Sequence, residues 1–261
     1  MKLNVNVDAL LSVPEPVPTV FQIEPAFIDG YQQSEQDEIT LEPFSPLEPF
    51  RDLYGNLCRR GMLPAGEVKM QYTSTIDISE TRGPMVQPLP PDPLVIPPDI
   101  LHYLLPSRYC ESDRLSQMAQ SEFGRTKPGF GRVQTICDWI NEHILYSYNF
   151  TNASTTACDT ALERIGVCRD FAHLGIAFCR TMGIPARYVS GYCLELDPPD
   201  FHAWFQAWLD GRWVSFDATE MQPRPALITV STGRDAADCA WCTFYGQGTT
   251  TKLDVSVSVN S

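Results

Sequence analysis

Three short stretches of this chain hold residue types that together can break or transfer an acyl bond. Gly166-Val167-Cys168-Arg169-Asp170-Phe171 supplies a cysteine, Phe201-His202-Ala203-Trp204 a histidine, and Ser215-Phe216-Asp217 an aspartate. A free thiol is mostly protonated near neutral pH; an imidazole beside it can take the proton, and a carboxylate can fix the imidazole's tautomer. Cys168 as nucleophile, His202 as base and Asp217 as orienter would give a thiolate–imidazolium pair able to attack a carbonyl.

The elements around these residues must bring them together. From Cys168 to Met182, the residues Phe171, Leu174, Phe178 and Met182 recur on one helical face, and Gly183 marks the end. Cys168 therefore opens a helix, where unpaired N–H groups and the positive end of the dipole favour a thiolate and can receive the oxyanion of a tetrahedral intermediate. Gly166 permits close backbone approach at the entry. Asp210-Gly211 is a two-residue turn signal, predicting a hairpin that pairs Leu209 with Arg212, Trp208 with Trp213, Gln206 with Ser215 and Trp204 with Asp217. Period 2 sets His202, Trp204, Gln206 and Trp208 on one face, with Asp217 a diagonal neighbour of His202 roughly 7–8 Å away between Cα atoms. A one-residue slip of register would send the pair to opposite faces.

Outside this set, cysteines and histidines read as structure. Nine cysteines occur, an odd number in a long chain with no visible export signal, so a disulfide framework is not expected and a reducing cytosol is. Cys137 and Cys179 fall in apolar helical patterns and read as core, as do His102 and His143 as satisfied structural residues. His173 lies five positions after Cys168, on another helix face, and reads the same way. Cys239-Ala240-Trp241-Cys242 is a lone CxxC, with neither the second pair of a zinc site nor the βαβ surroundings of a redox site. No metal and no cofactor is expected.

Formal net charge is −13 with no basic stripe, which disfavours nucleic acid and anionic membrane surfaces as partners. A hydrophobic fraction of 43% is ample for a core, and no apolar run approaches membrane-spanning length. The opening Met1–Asp8 alternates like a strand and lacks a signal peptide's apolar block, so a cytoplasmic location is expected.

The chain divides by pattern. Residues 1–83 read as an antiparallel β-sandwich, with alternation in Asp37–Leu41 and Glu67–Ile78 and a turn at Asp52–Asn56. Residues 84–99 are dense in proline and read as an extended linker. Residues 100–261 read as the catalytic α+β domain, helices first and antiparallel strands afterwards. One helix carries Val133, Ile136, Ile140 and Ile144; a short one is capped by Thr156 and Asp159 and stops at Gly166. Strands are expected at 187–196, 202–209 and 212–216.

The segments Arg164–Leu174 and Cys179–Tyr192, with Phe201–Trp204, Gly211–Thr219 and Thr232–Asp238, resemble the transglutaminase-like superfamily, particularly its bacterial, cysteine protease-like branch. Asp52–Asn56 resembles part of the β-rich region that accompanies this domain, so the match covers most of the chain. The resemblance implies a papain-like α+β core with Cys168 as nucleophile, His202 as base and Asp217 as orienter. Where the family usually has an acidic residue stands Gln206, and where it has a proline after the aspartate stands Ala218. Gln206 faces the site side of the hairpin and could alter substrate choice. The calcium dependence of animal transglutaminases is not implied, since no loop shows closely spaced acidic ligands.

The activity implied is hydrolysis of a peptide or protein amide bond through a thioester. Acyl transfer to an amine shares the first half-reaction and stays open, and an intact triad argues against a third reading, a binding module without turnover. Trp204, Trp208, Trp213 and Trp241 either line an acyl pocket or pack the core.

Overall fold

The alternation that opens the chain becomes a 12-residue strand, β1 (Lys2–Val13), with Leu3, Val5, Val7, Leu11 and Val13 buried along one face. This computed structural model describes residues 1–79, 92, 94–148, 150–220 and 226–260. Of the expected linker, residues 84–91 and 93 lie outside the described residues.

Five further strands follow: β2 (Val17–Phe21), β3 (Gln32–Glu42), β4 (Glu48–Arg51), β5 (Leu57–Leu63) and β6 (Gly66–Ile78). Next come α1 (Ser116–Phe123), α2 (Phe130–His143), the two-residue β7 (Leu145–Tyr146), α3 (Ala157–Glu163), the equally short β8 (Ile165–Gly166) and α4 (Cys168–Thr181). The chain closes with β9 (Ala186–Cys193), β10 (His202–Leu209), β11 (Arg212–Phe216), β12 (Leu227–Gly233), β13 (Cys242–Phe244) and β14 (Thr249–Val259). Among the described residues no helix is long and apolar enough to cross a membrane.

Three four-stranded antiparallel sheets form, in the orders β14-β1-β6-β3, β13-β2-β5-β4 and β11-β10-β9-β12. The fold is α+β, with α4 laid against the third sheet. Its buried face meets Ala203, Phe205, Ala207 and Leu209 of β10, the face opposite that of His202.

The end of the chain departs from the expected division at 100–261. β13 pairs with β2, and β14 pairs with β1 from Leu3↔Val259 to Ser12↔Thr249, so residues read as catalytic domain complete both N-terminal sheets. The halves also share a core: Val5, Val7 and Phe21 pack in one cluster with Tyr192, Ile228 and Val230.

Side-chain amides from the N-terminal strands and loops seal the outer strand of the third sheet. Gln32 accepts from Thr229 N–H at 2.8 Å and donates to Thr229 O at 2.7 Å. Asn56 does the same at Thr232, accepting at 2.9 Å and donating at 2.8 Å. A strand edge needs such partners when covered by protein rather than water. The Asp52–Asn56 segment exists to present that amide: Asp52 accepts from the N–H groups of Tyr54 and Asn56 and from Asn56 Nδ2.

Local boundaries follow their chemistry. Thr156 and Asp159 form the expected reciprocal capping box of α3. The helix ends earlier than Gly166, at Arg164 in the left-handed region (φ 60°), because Ile165 and Gly166 leave to pair in parallel with β7. β9 stops at Cys193 rather than 196, where Glu195 turns the chain with φ 62°.

Candidate active site

Cys168 is the first residue of α4, as its spacing predicts. Asp170, in the helix's first turn, accepts from Val167 N–H at 3.0 Å and anchors the entry from within. Arg169 neutralises this fully buried carboxylate at 2.9 Å. A side chain at Gly166 would place Cβ 2.8 Å from Asp170 Cβ, so only glycine lets the incoming strand pass this close. The thiol is half-buried at the surface end of the helix, an accessible position of the kind reactive cysteines occupy.

The hairpin register agrees with its prediction from Phe205↔Phe216 to Leu209↔Arg212. Asp210 and Gly211 both take positive φ, 51° and 74°, as a two-residue loop between right-twisted strands demands. With that register, His202 at the head of β10 and Asp217 just past β11 meet: His202 Nε2–H donates to Asp217 Oδ2 at 2.7 Å. His202 is 1% exposed and the Asp217 carboxylate 9%.

Asp217 is itself fixed by Thr219, whose N–H and hydroxyl donate to Oδ1 at 3.0 and 2.7 Å. Asn141 of α2 ties down the same loop through Ala218 O at 3.2 Å. Neither residue had an assigned role in the sequence, although Asp-x-Thr is a recognisable side-chain-to-backbone turn.

The other imidazole nitrogen, Nδ1, is buried, and among the described residues no hydrogen bond of ordinary geometry closes on it. Besides Asp217, the side chain that acts on this imidazole is Cys168. Burial alone would lower the imidazole's pKa, but Asp217 and the Cys168 thiol outweigh burial and hold it up to about 9. Asp217 shows the mirror effect: burial would raise it, and the bonds from His202 and Thr219 keep it well below the usual carboxylate range. The three expected residues therefore stand together as thiol, imidazole and carboxylate.

The remaining candidates separate from this site. His173 is buried, and desolvation, with Arg169 and Arg180, keeps it neutral; Nε2 accepts from Ala236 N–H at 3.1 Å between the rings of Tyr109 and Tyr188. Burial pushes the thiols of Cys137, Cys179, Cys239 and Cys242 upward. Cys239 and Cys242 point into different cores. Among the described residues no three His, Cys, Asp or Glu side chains gather as a metal site would.

Gln206 accepts from Arg187 at 2.8 Å and donates to Ser215 at 3.1 Å, so its polar groups are spent within the sheet. The tryptophans do not share one pocket. Trp204 lies beside the His202 ring at 6.0 Å, Trp208 and Trp213 meet edge-on at 5.1 Å, and Trp241 stacks on Phe201. Two surface clefts lie on the N-terminal sheets, one beside Asn4, Asp37 and Thr75 and one beside Pro18, Phe50 and Tyr245; neither includes Cys168, His202 or Asp217.

Residues 116–218 match the family model of the Transglutaminase-like superfamily. An uncharacterized protein of Mycobacterium leprae is 35% identical over 140 residues, 49% of this chain and 49% of that protein, so the alignment takes in about half of that relative's length. An uncharacterized protein of Mycobacterium tuberculosis is 31% identical over 238 residues, 80% of this chain and 76% of that protein. The crystal structure of a "Putative Cysteine Protease" from Cytophaga hutchinsonii superposes with a TM-score of 0.91 at 38% identity, over 99% of this chain and 90% of that one. The chain belongs to the transglutaminase-like superfamily.

Proposed function

We propose that the protein is a cysteine-nucleophile hydrolase of peptide or protein amide bonds. The observation that carries this reading is the single imidazole of His202, bonded to Asp217 through Nε2 and acted on by the Cys168 thiol as well. In the first half-reaction, Cys168 Sγ, its proton already passed to His202 Nδ1, attacks the substrate carbonyl carbon as a thiolate, and the carbonyl π electrons move to oxygen. Collapse of the intermediate expels the amine, which takes the proton from His202, and leaves a thioester on Cys168. Water, deprotonated by the same imidazole, then releases the acid.

The order of roles follows from burial. A carboxylate 9% exposed and bonded by Thr219 stays charged without being drawn into the chemistry itself, so it orients and stabilises the imidazolium. The half-buried thiol is the member that substrate can reach. The "Putative Cysteine Protease" of Cytophaga hutchinsonii, alike over nearly the whole chain, supports hydrolysis as the class.

Transfer to an amine differs only in the second acceptor. Incubating the protein with peptide amides, with and without a primary amine, separates the two: hydrolysis yields acid in both mixtures, and transamidation yields the new amide in one. Cys168→Ala with full activity would remove both. We place the protein in the cytoplasm, where its nine free cysteines would stay reduced; its recovery in an exported fraction would overturn that placement.

A further inference from the structure

Large apolar side chains stand exposed at high density close to the nucleophile. Within residues 145–150, Leu145 is 65% exposed, Tyr146 37%, Tyr148 53% and Phe150 64%. Single exposed apolar residues are ordinary on a protein surface, whereas a contiguous run of them marks a place where another apolar group binds. The tryptophans of the hairpin and of the CxxC do not contribute here, being engaged with His202, with one another and with Phe201.

This segment is tied at both ends to the elements that deliver Cys168. β7 pairs in parallel with β8, setting Tyr146 abreast of Gly166. Leu145 N–H donates to Arg164 O at 2.8 Å and Ser147 N–H to Gly166 O at 2.9 Å. At the far end Asn152 O accepts from Arg169, the residue after the nucleophile, at 2.6 Å, and from Thr155 N–H at 3.1 Å. Between these anchors the rings support one another. Tyr146 packs on Phe171, one turn along α4 from Cys168, with centroids 5.6 Å apart, and Tyr148 meets Tyr146 edge-on at 5.5 Å. Gly166 precedes Cys168 by two residues, a span of at most about 7 Å. A peptide whose carbonyl reaches Sγ therefore brings its neighbouring side chains within range of this surface.

We propose that Tyr146, Tyr148 and Phe150 form an apolar shelf that selects peptide substrates carrying an aromatic or large aliphatic side chain within two residues of the scissile amide. Such selection rests on the thioester reading above, because it needs Cys168 as the point at which the chain is cut. The three side chains carry no charge, so a charged or small polar substrate residue gains nothing against them. Rings held in place before substrate arrives lose little freedom on binding, which leaves more of the burial as affinity.

Protection of Cys168 from iodoacetamide reads binding beside the thiol without requiring turnover. The protectants compared are acetyl-phenylalanyl-glycyl-phenylalaninamide and its seryl counterpart. On wild type, the half-protecting concentration should be about tenfold lower for the phenylalanyl peptide. On the double variant Tyr148→Ser, Phe150→Ser the two peptides should protect equally; both rings are more than half exposed, so their removal does not empty the core. Phe44→Ser, which deletes an 84% exposed ring between β3 and β4, should keep the preference. Equal protection on wild type, a preference that survives in the double variant, or its loss in Phe44→Ser would overturn the shelf and leave the mechanism standing. Cys168→Ala reads the mechanism apart: if it hydrolyses peptide amides at the wild-type rate, the thioester reading is wrong and the shelf falls with it.

Discussion

His202 donates to Asp217 at 2.7 Å through Nε2, which leaves Nδ1 as the only ring nitrogen available to Cys168. This division fixes the tautomer and makes the imidazole a one-way acceptor for the thiol proton. It also makes the pair's charge state depend on pH in a defined sense.

Asp217→Asn should keep the hairpin and lose the charge. On an amide substrate, kcat/KM should fall on the order of 10³–10⁴-fold, the scale seen when such an orienting carboxylate is neutralised. Asp217 raises the imidazole's pKa, so the alkaline limb of the pH–rate profile should move to lower pH in the variant. An unmoved limb would mean that Asp217 does not act on His202.

Stability should fall across the same alkaline range. His202 is raised from 6.5 to about 9 on folding, so its contribution is fully present below pH 6.5 and is lost as pH rises through about 9. Asp217 is lowered from 3.8 to about 2, so its contribution is present above pH 3.8 and is lost as pH falls through about 2. Melting temperatures of wild type and His202→Gln should converge between pH 6.5 and 9. Parallel curves would contradict this.

Gly166→Ala should destabilise by roughly 1–3 kcal/mol, because its Cβ meets Asp170 Cβ, close to the backbone, rather than a flexible tip. The displaced helix start should also slow alkylation of Cys168. Denaturant unfolding and iodoacetamide kinetics on one preparation measure both effects.

Asn56→Ala should cost about 2–4 kcal/mol, since it strands a buried N–H and a buried carbonyl of Thr232 together. Urea titration is the direct check, and a loss below ~0.5 kcal/mol would show that the clamp on β12 is not needed.

Much of the site was legible because local rules placed it. The 3.6-residue spacing and Gly183 delimited α4, and Asp210-Gly211 set a register that carried His202 and Asp217 to one face. What escaped had no local signal. All seven residues of β12 are buried, which erases alternation. β14 finds its partner at the opposite end of the chain, as Leu3↔Val259 shows, and no neighbouring residues encode that return. β7 is too short for any period. Gln206 illustrates the converse: period 2 gives its face, but Arg187, nineteen positions away, decides what its amide does.

The most direct measurement is peptide mapping by mass spectrometry after acid quench of a reaction with p-nitrophenyl acetate. An acetyl thioester is expected on Cys168, and none in His202→Gln under the same conditions. Acetylation scattered over lysines with Cys168 unmodified, or equal labelling of Cys168 in His202→Gln, would contradict it.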